Sequence, residues 1–390
     1  MNTINRLLVN KQVAIIGGGP AGLTLGRLLQ RQGVQVKVYE RDVNRYVRQQ
    51  GSTLDLHYDT GLKAMEAAGL MEEFKKLYRP GADKSVIVDS QMQVLLSGEE
   101  ENRTFGDPLF RPEIDRGPLR DMLIAALPEE SIVWDARFVE MAPSGEGWNL
   151  QFENGISVYA DLVIAADGAN SKVRKYITTI PPVYSGVTDL EGYIENAAVN
   201  APRLWQLVNG GSLFALGGGK TVKFITKGDG TLLFLIGWKA PENWLEQSGL
   251  DVTDKQAVAA WFAKEFADWS PEWSELFASD ALTIAPRPWY HFPVNQHWPS
   301  LPNLTIIGDA AHRVPAYGGE GANQALADTV DLYESLCVEK HDTMQQAIAG
   351  YEAKMLQRMA VITEEILETT TGMHSDDNLQ YLLALFAGVK

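Results

Sequence analysis

Three turns, each following a short apolar run, hold the residues of this 390-residue chain best placed to do chemistry. The first, Gly17-Gly18-Gly19-Pro20-Ala21-Gly22, has the spacing G-x-G-x-x-G and follows Gln12-Val13-Ala14-Ile15-Ile16. Gly17 permits a tight turn, Gly19 lets the backbone approach a pyrophosphate, and Gly22 lets the next helix pack closely on the strand. The helix would then present the positive end of its dipole to the phosphates. Glu40 stands 18 residues after Gly22, at the end of the next apolar run, where a carboxylate can accept hydrogen bonds from a ribose diol. Alone, such a turn is a weak signal, and a structural turn with a solvated strand-end acid is the alternative. The order strand, turn, helix, strand favours a dinucleotide site.

The second turn, Asp167-Gly168-Ala169-Asn170-Ser171-Lys172-Val173-Arg174, follows the run Leu162 to Ala166. The third, Gly308-Asp309-Ala310-Ala311-His312, follows Leu304-Thr305-Ile306-Ile307. Both put an acid at the carboxyl end of a strand, where ligands sit in open parallel sheets. Arg174 either joins the ligand or pairs with Asp167 at a helix start. Shortly beyond, Pro315-Ala316-Tyr317-Gly318-Gly319-Glu320-Gly321-Ala322-Asn323 offers small residues and then a helix start. Its alternative is a flexible glycine loop. His312 is expected to support its loop rather than to transfer protons. His291 and His297 have a spacing that suits no metal site, and no metal is expected.

The elements that position these turns read as an α/β fold. A βαβ unit opens the chain, with leucines at 23, 25, 28 and 29 on its helix, Gly33 closing that helix and a second strand at 34–39. Residues 56–78 and 116–127 have helical spacing, and 131–166 turns to strands. Alternating apolar runs punctuated by glycine over 187–240 predict an inserted, mostly antiparallel sheet. A helix follows at 254–268, and two long ones at about 321–337 and 343–370. The domains are therefore discontinuous. We expect a Rossmann-like nucleotide-binding domain from 1–80, 104–180 and 285–340, and a substrate-binding domain from 81–103 and 181–284. The stretch 341–390 would form a long C-terminal helix linking them.

Composition sets limits. Charged residues make up 22% and hydrophobic ones 45%, and the formal net charge is −16. No basic stripe exists to follow a phosphate backbone, so a nucleic-acid partner is not expected. No run approaches eighteen apolar residues, so no membrane span is expected. The N-terminus lacks a cleavable signal pattern, and the single cysteine, Cys337, cannot form an internal disulfide; both favour the cytoplasm.

The three motifs, in this order, resemble the FAD-dependent monooxygenases of the para-hydroxybenzoate hydroxylase type. Within that group Tyr39-Glu40-Arg41-Asp42, Thr53-Leu54-Asp55-Leu56-His57, Pro112-Glu113-Ile114-Asp115-Arg116 with Leu119-Arg120, and Ser171-Lys172-Val173-Arg174-Lys175 are similar to the tetracycline-inactivating flavin monooxygenases. The resemblance implies FAD, with NADPH or NADH as reductant, and O2. Asp309 would accept a hydrogen bond from the ribityl chain, Arg120 would cap the pyrophosphate, and Arg41 would flank the adenosine. Asp167 and Arg174 would bridge the flavin and nicotinamide regions, and Arg48 and Asp55 would lie near the flavin or nicotinamide. Pro315 would pack near the reactive face of the ring, beside Gly318. Backbone N–H groups of Gly321 and Ala322 would face the pyrimidine edge and stabilise charge on the reduced flavin. No acid or base side chain is demanded, because oxygen transfer would run through a flavin C4a-hydroperoxide.

The substrate expected from this resemblance is a small cyclic or aromatic molecule, bound by a monomer. The substrate-contacting glutamine, arginine and histidine of the tetracycline-inactivating enzymes fall here on Glu191, Ser212 and Phe234. Lost donors and charge imply a different pose for any tetracycline-like antibiotic. Tyr193, Phe214, Phe224, Phe234 and Trp238 suggest an aromatic-lined pocket, with core packing as the alternative for each. Two rival functions remain. One is a flavin-dependent halogenase, of which Gly237-Trp238 matches only a fragment of the tryptophan motif. The other is an FAD-containing protein that sequesters a drug without turnover.

Overall fold

A computed structural model describes residues 7–47, 51–98, 103–279 and 282–388. A five-stranded parallel sheet orders its strands Leu304–Ile306, Leu162–Ala165, Gln12–Ile16, Gln35–Tyr39 and Ile132–Val133. The strands Leu162–Ala165 and Gln12–Ile16 are apolar without alternation because both faces are covered. The helices Pro20–Arg31 and Glu320–Cys337 pack against each other, and Leu23 to Leu29 and Leu326 to Leu336 join one core with the sheet. A three-stranded antiparallel sheet, Phe138–Ser144, Gly147–Phe152 and Ser157–Ala160, adds to that core, with Phe152 stacked on Tyr39 at 4.7 Å between centroids.

The second layer is a seven-stranded sheet in the order Leu282–His291, Val183–Ile194, Leu232–Lys239, Lys220–Thr226, Ser212–Gly217, Ser85–Asp89 and Val94–Ser97. Every pairing is antiparallel except Ser212–Gly217 with Ser85–Asp89. Side chains alternate between its faces. One face carries Leu190, Ile194, Val222, Phe224, Phe234 and Ile236, sealed by Pro202–Val208, Lys255–Glu265 and Pro271–Phe277, from which Trp273 stacks on Phe224. The opposite face carries Asp189, Glu191, Tyr193, Phe214, Lys223 and Leu235.

The long helix Met344–Met373 starts at a capping box, Thr343 with Gln346, and is followed by a separate helix, Asn378–Phe386. The helical stretch expected at 56–78 is divided into Tyr58–Leu62, Lys63–Ala68 and Met71–Leu77, with Gly69 at φ 71° closing the middle piece. The helix Pro202–Val208 lies within the stretch expected to form the inserted sheet, with proline at its first position. Leu282–His291 tolerates Pro286 and Pro288 because it is an edge strand. Among the described residues no helix is long and apolar enough to cross a membrane, and no group of His, Cys, Asp and Glu could hold a metal ion.

Candidate functional site

The glycine turn is shaped by what each missing side chain permits. Gly17 has φ 112°, and a methyl group there would lie 2.2 Å from the Ala166 carbonyl oxygen, so the turn rests directly on the end of the neighbouring strand. A methyl at Gly22 would lie 2.0 Å from the Gly17 oxygen. At Gly19, by contrast, nothing stands within 4 Å. That open front lies at the start of Pro20–Arg31, where Pro20 needs no donor and Ala21 stays small. A pyrophosphate fits it.

Glu40 is buried behind the turn. Its carboxylate accepts from the Gly18 N–H at 2.7 Å and from the Asp42 N–H at 2.9 Å, so it organises the turn at the place where a ribose would lie. Arg120 is also buried, donating to the Gly18 carbonyl at 3.2 Å and the Asp42 carboxylate at 3.1 Å, with Trp134 under its guanidinium. These bonds make Arg120 a brace beneath the turn. Arg41 is exposed at the end of the second strand, and Arg48 lies outside the described residues.

The other two turns converge on the same strand ends. Asp167 accepts from the Lys172 N–H at 2.8 Å and the Val173 N–H at 3.4 Å, while its second oxygen is buried without a partner and burial raises its pKa. Arg174 does not pair with Asp167. It donates to the carbonyls of Ala310 (3.0 Å) and Ala311 (2.9 Å) and to Gln296 (2.7 Å), and lies 3.5 Å over the Phe292 ring. The pairing with Asp167 is thus replaced by bonds that tie the second turn to the third. Asp309 is exposed at the start of Asp309–His312, with its Oδ1 3.9 Å from the point where a methyl on Gly321 would sit. His312 is held by Asp328 at 2.6 Å, which also accepts from the Gly308 N–H at 2.8 Å. That is the supporting role expected of it.

The loop after Pro315 is built rather than slack. Pro315 is buried, Gly318 and Gly319 have φ 81° and 72°, and a methyl at Gly319 would meet Asp55 Oδ1 at 2.4 Å. Asn323 donates to the carbonyls of Asp55 (2.7 Å) and Gly319 (3.0 Å) and accepts from the His57 N–H (2.9 Å) and the Thr60 hydroxyl (3.1 Å). His57 in turn touches Asp55 at 3.0 Å. Gly319, the residue before Glu320–Cys337, has no side chain to cap the first N–H groups, and those of Gly321 and Ala322 remain for a ligand.

The inner face of the large sheet looks onto this loop. Glu191 accepts from the Tyr193 hydroxyl at 3.0 Å and from Arg287 at 2.9 Å. Arg116 lies within the field of Glu191, Tyr193 and Asp309, and so stands between the sheet and the third turn. Phe214 lies beneath the Lys223 ammonium at 5.1 Å, and Ser212 is on the same face near the sheet end. The pocket expected from Phe224 and Phe234 is corrected. Both are fully buried on the opposite face, and Trp238 packs there against Trp244 and Trp261 at 4.7 and 4.8 Å. Lys223, Leu235 and Asp189 hold the inner positions instead.

Tyr317 donates to His374 Nε2 at 2.5 Å, and His374 Nδ1 donates to the Gly219 carbonyl at 3.1 Å. Burial pushes His374 down to about 4, keeping it neutral, and pushes the Tyr317 hydroxyl up. Neither this pair nor Asn323 was singled out from the sequence. Asn323 ends a stretch already read as functional, whereas His374 is distant in sequence and carries no local signal. Cys337 is half-buried with its thiol pushed up to about 12 by burial, which makes it unreactive.

An open front at Gly19, uncapped N–H groups at Gly321 and Ala322, and Asp309 between them suit a long dinucleotide with a flavin head. A family model described as FAD binding domain matches residues 10–107 and 149–365. Monooxygenase penA of Penicillium thymicola is 28% identical, over 87% of this chain and 90% of its own. Among solved structures, Klebsiella pneumoniae HpxO complexed with FAD and uric acid superposes with TM-score 0.75 at 21% identity, covering 97% of this chain and 92% of that one. Tetracycline destructase Tet(51) superposes with TM-score 0.70 at 18% identity, covering 93% and 91%. The chain belongs to the FAD binding domain family of para-hydroxybenzoate hydroxylase-type enzymes and is an FAD-dependent monooxygenase.

Proposed function

We propose that this monooxygenase takes electrons from NADPH or NADH and hydroxylates a small cyclic or aromatic molecule with O2. The observation that carries the substrate reading is the inner sheet face: Glu191, Tyr193, Phe214, Lys223 and Leu235 stand opposite the Pro315 to Ala322 loop, mixing apolar surface with a few polar groups. Uric acid in HpxO and the name of the tetracycline destructase support a ring-bearing substrate. Bound FAD supplies the redox chemistry and the activation of oxygen. The chain does the rest. The Gly17 to Gly22 turn and Glu40 would hold the adenosine and pyrophosphate, and Asp309 the ribityl chain. The N–H groups of Gly321 and Ala322 would stabilise negative charge on the ring. The same reading divides the chain into an FAD-binding part (1–80, 104–180, 285–340), a substrate part (81–103, 181–284) and a C-terminal helical link (341–390), working as a monomer.

The test is substrate-stimulated NAD(P)H oxidation with the product weighed by mass spectrometry. A gain of one oxygen derived from labelled O2 supports hydroxylation. A halogen in the product, or binding without NAD(P)H consumption across a panel of ring compounds, rejects it in favour of halogenation or sequestration.

A further inference from the structure

The inner sheet face holds a set of charges that the protein does not resolve by itself. Lys223 is half-buried, within the field of Asp55, Glu113 and Asp189. Among the described residues its ammonium closes no hydrogen bond and no ion pair within 4 Å, and it is carried over the Phe214 ring at 5.1 Å. Asp55 and Glu113 are direct cross-strand partners in the short pair Thr53–Asp55 and Glu113–Asp115. Two acids in register repel, and among the described residues only Asp55 is relieved, by His57 at 3.0 Å and Arg111 at 3.9 Å. Glu113 Oε2 is buried without a partner.

Asp189 completes the set. Its residue is 5% exposed, and Oδ1 closes no hydrogen bond, although the Trp289 indole N–H, itself unpartnered, leans toward the carboxylate. Gly237, its partner across the sheet, makes the room for it: a methyl there would lie 2.5 Å from Asp189 Oδ1. Burial pushes both Glu113 and Asp189 up to about 7, which is the response of carboxyl groups lacking adequate partners.

These groups select by charge. An anionic ligand would face Asp55, Glu113 and Asp189, and a cationic one would meet Lys223. A neutral ring satisfies both sides if it offers an acceptor next to a donor. We propose that Lys223, Glu113 and Asp189 read the polar edge of the substrate, Lys223 donating to a ring carbonyl and one of the two acids accepting from the adjacent N–H, so that the preferred substrate class is an aromatic ring bearing a cyclic amide. The proposal rests on the substrate site assigned above and names what that site selects. Buried groups left unpaired discriminate strongly against a ligand lacking the matching atom.

The probes are 2-quinolone, N-methyl-2-quinolone and 2-naphthoate, together with further lactam and N-methyl pairs on bicyclic rings. Each is titrated into the FAD-loaded protein while the flavin absorbance is followed. The N–H member is expected to bind about tenfold or more tightly than its N-methyl partner and than the anion. In Lys223→Met and Asp189→Leu that preference is expected to fall below about threefold, with FAD still bound. Should either variant lose FAD, the preference in the unaltered protein decides alone. Equal binding, preference for the anion, or no N–H member bound in preference across the panel overturns the proposal. Its failure is separable from that of the parent reading. A protein that oxygenates only N-methyl or anionic rings sinks this inference and leaves the monooxygenase site standing. One that prefers lactams but never transfers oxygen does the reverse.

Discussion

Asp309 and His374 carry the two most direct predictions at the scale of single residues. Asp309 is exposed beside Gly321, so its carboxylate is free to accept from the cofactor. A hydrogen bond to a charged group contributes about 1.5–3 kcal/mol, so Asp309→Ala is expected to weaken FAD binding roughly ten- to hundredfold in a fluorescence titration, with little change in melting temperature of the apoprotein. His374 has a native pKa pushed down to about 4 by burial, below its usual 6.5. The unfolded chain therefore takes up a proton that the native one refuses. Stability is fully present above pH 6.5 and is lost as the pH falls toward 4, by about 3 kcal/mol over that window. In His374→Gln the denaturation midpoint should decline less over the same window. Identical pH profiles for the two proteins would contradict this. Most of the candidate cofactor-binding residues could be proposed from the sequence, because Gly17 to Gly22, Asp167 and Asp309 lie in short contiguous motifs whose geometry is local. The bonds of Arg174 could not, since its partners, Ala310, Ala311 and Gln296, come from more than a hundred residues away.

At the scale of elements, the question is which face of a strand meets the ligand. Alternation tells which residues share a face, but not which face looks inward. In Lys220–Thr226 and Leu232–Lys239 the aromatic positions Phe224 and Phe234 fall with Val222 and Ile236, and that more apolar face is the one sealed by helices. The polar face, with Lys223 and Asp189, is the one turned toward Asp55 and Tyr317. The aromatic pocket expected from sequence failed for this reason, and the cover supplied by Pro202–Val208 and Lys255–Glu265 is not visible in the strands themselves. Phe234→Ala should therefore cost about 3–5 kcal/mol in denaturant unfolding, as truncation in a closed core does. Leu235→Ala, on the opposite, half-buried face, is expected to cost under half of that and to change substrate affinity instead. Comparable losses of stability at the two positions would contradict the assigned register.

Over the whole molecule, one helix draws the layers together. Met344–Met373 begins against the parallel sheet, where Tyr351 donates to the Ile306 carbonyl at 3.0 Å and Glu352 accepts from Thr305 at 2.8 Å. Midway, Arg358 pairs with Asp328 and Asp331 of Glu320–Cys337. At its end, His374 meets Tyr317 of the cofactor loop and Gly219 of the large sheet, and Asn378 donates to the Lys220 carbonyl at 2.9 Å. The apolar stripe of this helix was readable from periodicity, but its polar bonds to three separate elements were not. The proposed FAD site draws on the glycine turn, Asp309 and the start of Glu320–Cys337. The most direct test is a titration of the apoprotein with FAD, compared with Gly22→Val, in which the added side chain would strike the Gly17 carbonyl. Uptake of one FAD per chain, with binding abolished in a variant that remains folded by circular dichroism, is the expected result. No uptake by the unaltered protein, or equal affinity in the folded variant, would contradict the account.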